Sequence, residues 1–306
     1  MRAFIFPGQG SQSVGMLADL AAEYPLIEET FAQASEALGY DLWQLVQDGP
    51  VEKLNETQRT QPALLAASVA IYRVLEAQGV PAPEWMAGHS LGEYSALVCS
   101  GAMDFADAIQ LVAKRGELMQ EAVPAGVGAM AAIIGLDDAR VEEACAAAAG
   151  DQVVSAVNFN SPGQVVIAGH AEAVERAGEA CKEAGAKRAL PLPVSVPSHC
   201  ALMQPAAEQL AVELGKITLR TPNVPVVNNV DVKVEREADA IRDALVRQLY
   251  SPVRWTETVQ HLAEQGVTEL YEIGPGKVLS GLTKRIDKAL QSDAINTVES
   301  IQKVQE

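Results

Sequence analysis

Gly88-His89-Ser90-Leu91-Gly92 lies between a short apolar run, Trp85 to Ala87, and a helix-like run from Glu93 to Cys99. Glycines two positions before and after a serine allow the chain to turn sharply from a strand into a helix, which exposes the serine hydroxyl. The helix that follows directs free N–H groups and a partial positive charge toward the turn. The pattern predicts strand, turn and helix, with Ser90 as the candidate nucleophile.

Strand and helix patterns alternate on both sides of this turn. The predicted elements are a strand at Ala3 to Phe6, helices at 62–78 and about 105–122, and strands at 224–230 and 267–273. Their hydrophobic spacing and the breaks between them predict an α/β fold with a mostly parallel sheet covered by helices. The segment after about Leu290 carries no motif.

Residues 126–195 show a different order of elements. The candidates there are strands at 129–136, 153–160, 165–169 and 187–192, and helices at 137–149 and 171–184. The order β-α-β-β-α-β is the ferredoxin-like arrangement, a compact unit that can be inserted into a larger domain. We therefore expect a large lobe from 1–125 and 196–306 and an inserted small lobe from 126–195.

Composition and charge exclude several classes of partner. A net charge of −17 argues against nucleic acid or an anionic membrane, since both are bound largely through Lys and Arg. The four cysteines form no C-x-x-C pair, and no histidine cluster has metal-ligand spacing. No apolar stretch has the length of a signal sequence or a membrane span. We expect a cytoplasmic protein with reduced thiols, no metal and no membrane contact.

A serine nucleophile needs a base, and the chain has four histidines. His89 is next to Ser90, where neighbouring side chains diverge; His261 lies off an apolar helical stripe, and His170 lies at a strand–helix junction. His199 follows Pro197-Ser198 where the chain re-enters the large lobe, so it is the candidate base. A hydrogen-bonded histidine without a catalytic role is the alternative.

Arg115 falls within the apolar stripe of the helix at 105–122. The stripe consists of Ala108, Leu111, Val112, Leu118 and Ala122. An arginine on a buried stripe requires an anion, because an unpaired buried charge costs several kcal/mol or more. The anion is either a protein carboxylate or a ligand, and the sequence leaves both open.

The loop Gly8-Gln9-Gly10 follows a strand, as glycine-rich phosphate loops do. Ser13 stands where the dinucleotide fingerprint requires its third glycine, so the phosphate interpretation is weak. A glycine loop after a strand can instead present a backbone N–H to an oxyanion. A plain tight turn is the third interpretation.

Several motifs occur together in a fixed order. They are Phe6 to Gln12, Thr60 to Leu64, Gly88 to Glu93, Arg115, Asn158 to Gln164, Ser198-His199, Gln248, and Gly274 to Lys277. With them the chain resembles, over nearly its whole length, the malonyl-CoA:acyl carrier protein transacylases of bacterial fatty acid synthesis. The resemblance implies an α/β-hydrolase-like large lobe with a ferredoxin-like insertion.

The same resemblance implies an activity. A malonyl group would pass from CoA to the phosphopantetheine thiol of acyl carrier protein through an ester on Ser90, with both thioesters as substrates and no bound cofactor. It implies that His199 is the base, oriented by the backbone carbonyl of Gln248. It also implies that the N–H groups of Gln9 and Leu91 form the oxyanion hole.

The resemblance further assigns the malonyl carboxylate to Arg115 and other substrate contacts to Gln61, Asn158 and Asn160. Leu91, where relatives that take branched extenders have Gln, favours malonyl. We expect a monomer, and an acidic carrier protein would require a basic patch. Candidates for that patch are Lys182, Lys187, Arg188, Lys277, Lys284 and Arg285. A serine hydrolase and a non-catalytic carrier-binding module stay open as alternatives.

Overall fold

The computed structural model describes all 306 residues and contains two separate sheets. The strands of the larger sheet, numbered in chain order, are β1 (Arg2–Phe6), β2 (Trp85–Gly88), β7 (Val226–Val227), β8 (Glu269–Ile273) and β9 (Gln291–Ile295). They lie in the order β7-β2-β1-β8-β9, and every neighbouring pair is parallel.

Helices cover this sheet. They are α1 (Ala18–Glu23), α2 (Leu26–Leu38), α3 (Leu42–Asp48), α4 (Val51–Leu54), α5 (Thr57–Ala77), α6 (Gly92–Cys99), α7 (Phe105–Ala122), α10 (Gln204–Leu214), α11 (Ala238–Gln248), α12 (Trp255–Glu264), α13 (Val278–Ile286) and α14 (Val298–Gln305). No helix combines the length and the apolar character that crossing a bilayer needs.

Both faces of the parallel sheet are buried at β1, which explains the continuous apolar sequence of this strand. In β1, Phe4 and Phe6 join the large core cluster on one face, and Ala3 and Ile5 join a second cluster on the other. Side chains alternate between the two faces of a strand, so the apolar residues of β1 supply both clusters.

The smaller sheet consists of β3 (Gly128–Ile134), β4 (Val154–Ser161), β5 (Gln164–His170) and β6 (Arg188–Pro191). Its order is β4-β5-β3-β6 with antiparallel pairs throughout, and α8 (Asp138–Ala149) and α9 (Ala171–Glu183) pack on it. The α/β class with a parallel sheet and a ferredoxin-like unit is confirmed. The domain boundaries at 126 and 195 stay a prediction, and every strand of this sheet falls between them.

Some predicted elements differ from those observed. β7 pairs over only two residues rather than 224–230, and α5 begins at Thr57 rather than Pro62. β9 and α14 follow Leu290, where the sequence indicated nothing. The β9 sequence, Gln291-Ser292-Asp293-Ala294-Ile295, lacks an alternating apolar pattern, so its pairing with β8 is what makes it a strand.

The two lobes are joined beside the turn at Ser90. Phe159 N donates to Val253 O at 3.0 Å, and Val253 N donates to Val157 O at 2.8 Å. The loops after β1, β2 and β7 emerge from neighbouring carboxyl ends of the parallel sheet, the usual place for ligand sites in open α/β sheets.

Candidate active site

Ser90 lies at the point of a sharp turn between β2 and α6. Its φ is 53°, a left-handed conformation that is uncommon outside glycine. A Cβ at Gly88 would overlap the Gly92 carbonyl, and one at Gly92 would overlap the Phe6 carbonyl. The two glycines are therefore required by close approach of the backbone, as the spacing in the sequence predicted.

The structure brings His199 to Ser90. His199 Nε2 lies 2.8 Å from Ser90 Oγ, and His199 Nδ1 lies 2.8 Å from the Gln248 backbone oxygen. A carbonyl can only accept, so the proton resides on Nδ1 and Nε2 is free to accept the serine proton. The arrangement has the order of a serine–histidine–acceptor triad in which a peptide carbonyl replaces the carboxylate.

His199 is neutral at physiological pH. Burial lowers its pKa to about 3, and the nearby positive charge of Arg115 acts in the same direction. His199 is only 3% exposed, so water solvates its charged form poorly. The neutral form is the one that can act as a base.

Two backbone N–H groups beside Ser90 donate to no protein acceptor. They are those of Gln9, after β1, and Leu91, at the start of α6. The N–H of Ser90 itself is occupied, because it donates to Asn229 Oδ1 at 2.8 Å. Free N–H groups at the start of a helix suit a developing oxyanion, so Gln9 and Leu91 stay the predicted pair.

Arg115 is fully buried and forms no ion pair with Asp or Glu. Its Nη1 donates to Gln61 Oε1 at 2.8 Å, and its Nη2 donates to Gln248 Oε1 at 3.0 Å and to Ser90 Oγ at 3.4 Å. Its Nε has no partner. Burial lowers the pKa of Arg115. A structural salt bridge, the alternative left open by the sequence, is absent.

The other predicted substrate residues lie around this centre. Gln61 contacts Arg115, as described above, and Asn160 Oδ1 lies 2.8 Å from His89 Nε2. Asn158 Oδ1 is buried without a hydrogen-bond partner, on the strand that meets Val253. Direct contact of these amides with substrate stays a prediction.

The remaining histidines do not reach Ser90 Oγ. His89 bonds Asn160, and burial lowers its pKa. His170 Nδ1 accepts from Val153 N at 2.9 Å at the start of α9. His261 packs edge-on against Trp85 with ring centroids 6.0 Å apart. No group of three or more His, Cys, Asp and Glu residues is arranged to hold a metal ion.

Sequence reasoning missed two polar residues below the turn, Asn229 and Glu93. Asn229 is fully buried, and its backbone N donates to Glu93 Oε1 at 2.7 Å. Burial raises the pKa of Glu93 to about 7. The two adjacent asparagines near the end of the predicted strand 224–230 were the available signal, since the carboxyl ends of parallel strands lie near the site.

Comparison with known proteins identifies the family of this chain. The family model described as acyl transferase domain matches residues 3–305. The chain belongs to the acyl transferase family. The malonyl CoA-acyl carrier protein transacylase of Escherichia coli is 73% identical over 294 residues, which are 96% of this chain and 95% of that relative. The family predicted from the motifs is confirmed.

Solved structures of this acyl transferase family match the whole fold. An acyl carrier protein S-malonyltransferase from Vibrio cholerae is 66% identical and superposes with a TM-score of 0.98, covering 99% of both chains. A malonyl-transacylase in complex with a type II PKS acyl-carrier protein, also 66% identical, gives a TM-score of 0.99 and covers 99% of this chain and 98% of that one.

Proposed function

We propose that this acyltransferase moves a malonyl group from CoA to the phosphopantetheine thiol of acyl carrier protein through an ester on Ser90. One observation carries the proposal: the hydrogen-bonded line from Ser90 Oγ through His199 to the Gln248 carbonyl runs beside a buried arginine that forms no salt bridge. The Ser90–His199 pair supplies a nucleophile, and Arg115 selects an acidic acyl group.

In the first half-reaction, His199 Nε2 takes the Ser90 proton as Oγ bonds to the thioester carbonyl carbon. The carbonyl oxygen becomes negative, and the N–H groups of Gln9 and Leu91 stabilise it. The carbon–sulfur bond then breaks, and CoA leaves as a thiol with the proton from His199. Malonyl remains as an ester on Ser90.

The second half-reaction reverses these steps with a different thiol. His199 takes the proton of the phosphopantetheine thiol, sulfur attacks the ester carbonyl, and the proton returns to Ser90 Oγ as the ester bond breaks. One thioester replaces another, so the driving force is small and transfer is reversible. The neutral state of His199 suits both halves, since each begins with proton removal.

Arg115 gives the site its acyl specificity in this proposal. A guanidinium can hold a carboxylate through two parallel hydrogen bonds, and Gln61 and Gln248 fix it without cancelling its charge. An acetyl group would leave that charge unpaired. The site therefore favours malonyl and opposes acetyl through one residue.

We propose CoA and phosphopantetheine thioesters as the only small molecules required, and acyl carrier protein as the partner. We also propose a monomer as the active unit. The four cysteines are free, as suits the reducing cytoplasm.

Incubation with malonyl-CoA followed by intact-mass measurement tests the proposal. A stable adduct of one malonyl group at Ser90, lost on addition of holo acyl carrier protein, is the expected result. Rapid release of free malonate would identify a hydrolase instead, and no adduct would identify a carrier-binding module.

A further inference from the structure

Asn229 lies two residues past β7, beside the turn that follows β2. β7 and β2 are parallel neighbours, with Val227 level with Ala87, so the chain carries Asn229 directly under the turn at Ser90. The side chain is fully buried and takes no part in the proton transfers proposed above.

The Asn229 amide holds both sides of the turn. Its Nδ2 donates to the Gly88 carbonyl at 2.7 Å, and its Oδ1 accepts from Ser90 N at 2.8 Å. A carbonyl can only accept and an N–H can only donate, so the orientation of the amide is fixed by its partners. Among side chains of this length, only an amide offers a donor and an acceptor together.

The same amide connects the turn to the residue that orients the base. Gln248 Nε2 donates to Asn229 Oδ1 at 3.2 Å and to the Ser90 carbonyl at 3.0 Å. Gln248 also holds His199 through its backbone oxygen and Arg115 through Oε1. Asn229 therefore links the backbone of the nucleophile to the support of the base.

We propose that Asn229 is a positioning residue that holds Ser90 in its left-handed conformation and in line with His199. By accepting the Ser90 N–H it also keeps that donor out of the oxyanion site, which leaves the N–H groups of Gln9 and Leu91 to form it. The inference rests on the proposed function, and Asn229 acts through Ser90 rather than on substrate.

Asn228 provides a matched control. It is the adjacent residue, of the same type and also buried, but its Oδ1 accepts from Asp231 N at 2.9 Å and it does not contact Ser90. Asn228→Ala therefore removes a buried amide of equal size from the same loop without touching the turn.

The test uses a fluorophosphonate, which needs Ser90 and His199 but not the malonyl carboxylate. Ser90 Oγ bonds to phosphorus, fluoride leaves, and His199 takes the hydroxyl proton. We expect Asn229→Ala to lower the labelling rate and kcat for malonyl transfer about 100-fold, as for a reacting group displaced by about 1 Å. Asn228→Ala should change neither by more than about threefold, within the small effect expected away from the site.

Asn229→Ser is a second variant for this test, because the single, closer oxygen of serine cannot occupy the positions of both Nδ2 and Oδ1. We expect an intermediate loss. If Asn229→Ala does not fold, the serine variant carries the test. Labelling of folded Asn229 variants at the rate of Asn228→Ala would overturn the positioning role. Failure of the wild type to label at Ser90 would instead overturn the proposed function.

Discussion

The turn at Ser90 and the surroundings of Arg115 lie side by side, with Arg115 Nη2 3.4 Å from Ser90 Oγ, but they are built differently. The turn is defined by neighbours in sequence: Gly88 and Gly92 permit it, and the start of α6 follows at once. Arg115 is held by amides on two distant helices, Gln61 on α5 and Gln248 on α11.

The two regions also differ in how their charges are treated. Ser90 and His199 are both uncharged, because burial lowers the pKa of His199 to about 3. Arg115 keeps its charge in an equally buried place, where amide dipoles solvate it without neutralising it. In the proposed mechanism, proton transfer depends on the neutral state of His199, and acyl specificity depends on the charge of Arg115.

Loss of the nucleophile or the base should have the largest effect. We expect Ser90→Ala to abolish the malonyl adduct and to lower transfer by ~10³–10⁶, with His199→Ala in the same range. The double variant should be little worse than either single variant, because the two residues act in one step. The rate of malonyl transfer by all three variants measures this, and additive losses would contradict a shared step.

Arg115→Ala should change which acyl group is accepted. We expect the barrier for malonyl-CoA, from kcat/KM, to rise by about 2–5 kcal/mol, as for a buried charge pair that loses one partner. Acetyl-CoA should lose much less. The measurement is the ratio of the two kcat/KM values, with Lys114→Ala as the control on an exposed face of the same helix. Equal losses for both substrates would mean that Arg115 has a structural role only.

Gln61→Glu should change acyl specificity at Arg115 while leaving the reactivity of Ser90 nearly unchanged. It places a carboxylate where Gln61 Oε1 now accepts from Arg115 at 2.8 Å, which converts the amide contact into an ion pair. We expect kcat/KM for malonyl-CoA to fall about 10–100-fold, since the Arg115 charge is then satisfied internally. Fluorophosphonate labelling of Ser90 should be little changed. An unaltered preference for malonyl would show that the charge need not be free.

The pH dependence of labelling connects the two regions. His199 acts only when neutral, and a pKa lowered to about 3 keeps it neutral from pH 8 down through the ordinary range of histidine. Labelling should therefore stay flat across that range. Arg115 is one cause of the lowered pKa, so Arg115→Ala should move the acid limb to higher pH. A limb near pH 6.5 in the wild type would contradict the burial of the neutral base.

The turn could be predicted from sequence because its causes are local. Two glycines around a serine, an apolar run before and a helix after are enough to specify it. Arg115 was predictable as a buried cation because it interrupts an apolar stripe, but its partners were not. Gln61 and Gln248 lie 54 and 133 positions away, and no local pattern marks them as its neighbours.

The role of Asn229 and the strand β9 were likewise not predictable from the local sequence. The bond from Ser90 to Asn229 joins residues 139 positions apart, and an asparagine after a strand is an ordinary loop residue by composition. β9 has no strand pattern of its own and forms because β8 offers a free edge. What the sequence does not predict here is set by tertiary contact rather than by local preference.

Substitutions in the predicted docking surface for the carrier protein should have the smallest effect. This surface lies where the small lobe meets α13. Arg188 is level with Ile134, which is level with Gln164, and Gln164 Oε1 accepts from Arg285 at 3.5 Å. Basic residues from both lobes therefore lie at the same end of the small sheet. Of the six predicted patch residues only Lys182 is paired with a carboxylate, Glu179, so it is the weakest candidate.

The double variant Arg188→Glu with Arg285→Glu should raise KM for an acidic carrier protein several-fold, since rim charges mainly affect encounter. Loading of Ser90 from malonyl-CoA should stay unchanged, because neither residue contacts the site. The double variant Lys216→Glu with Arg220→Glu is the matched control for net charge, because it reverses two cations that already pair with Glu213 and Asp104. Raised salt should reduce the difference between wild type and double variant. If KM for the carrier is the same in both at low salt, the docking surface lies elsewhere and these basic residues are only solvated surface groups.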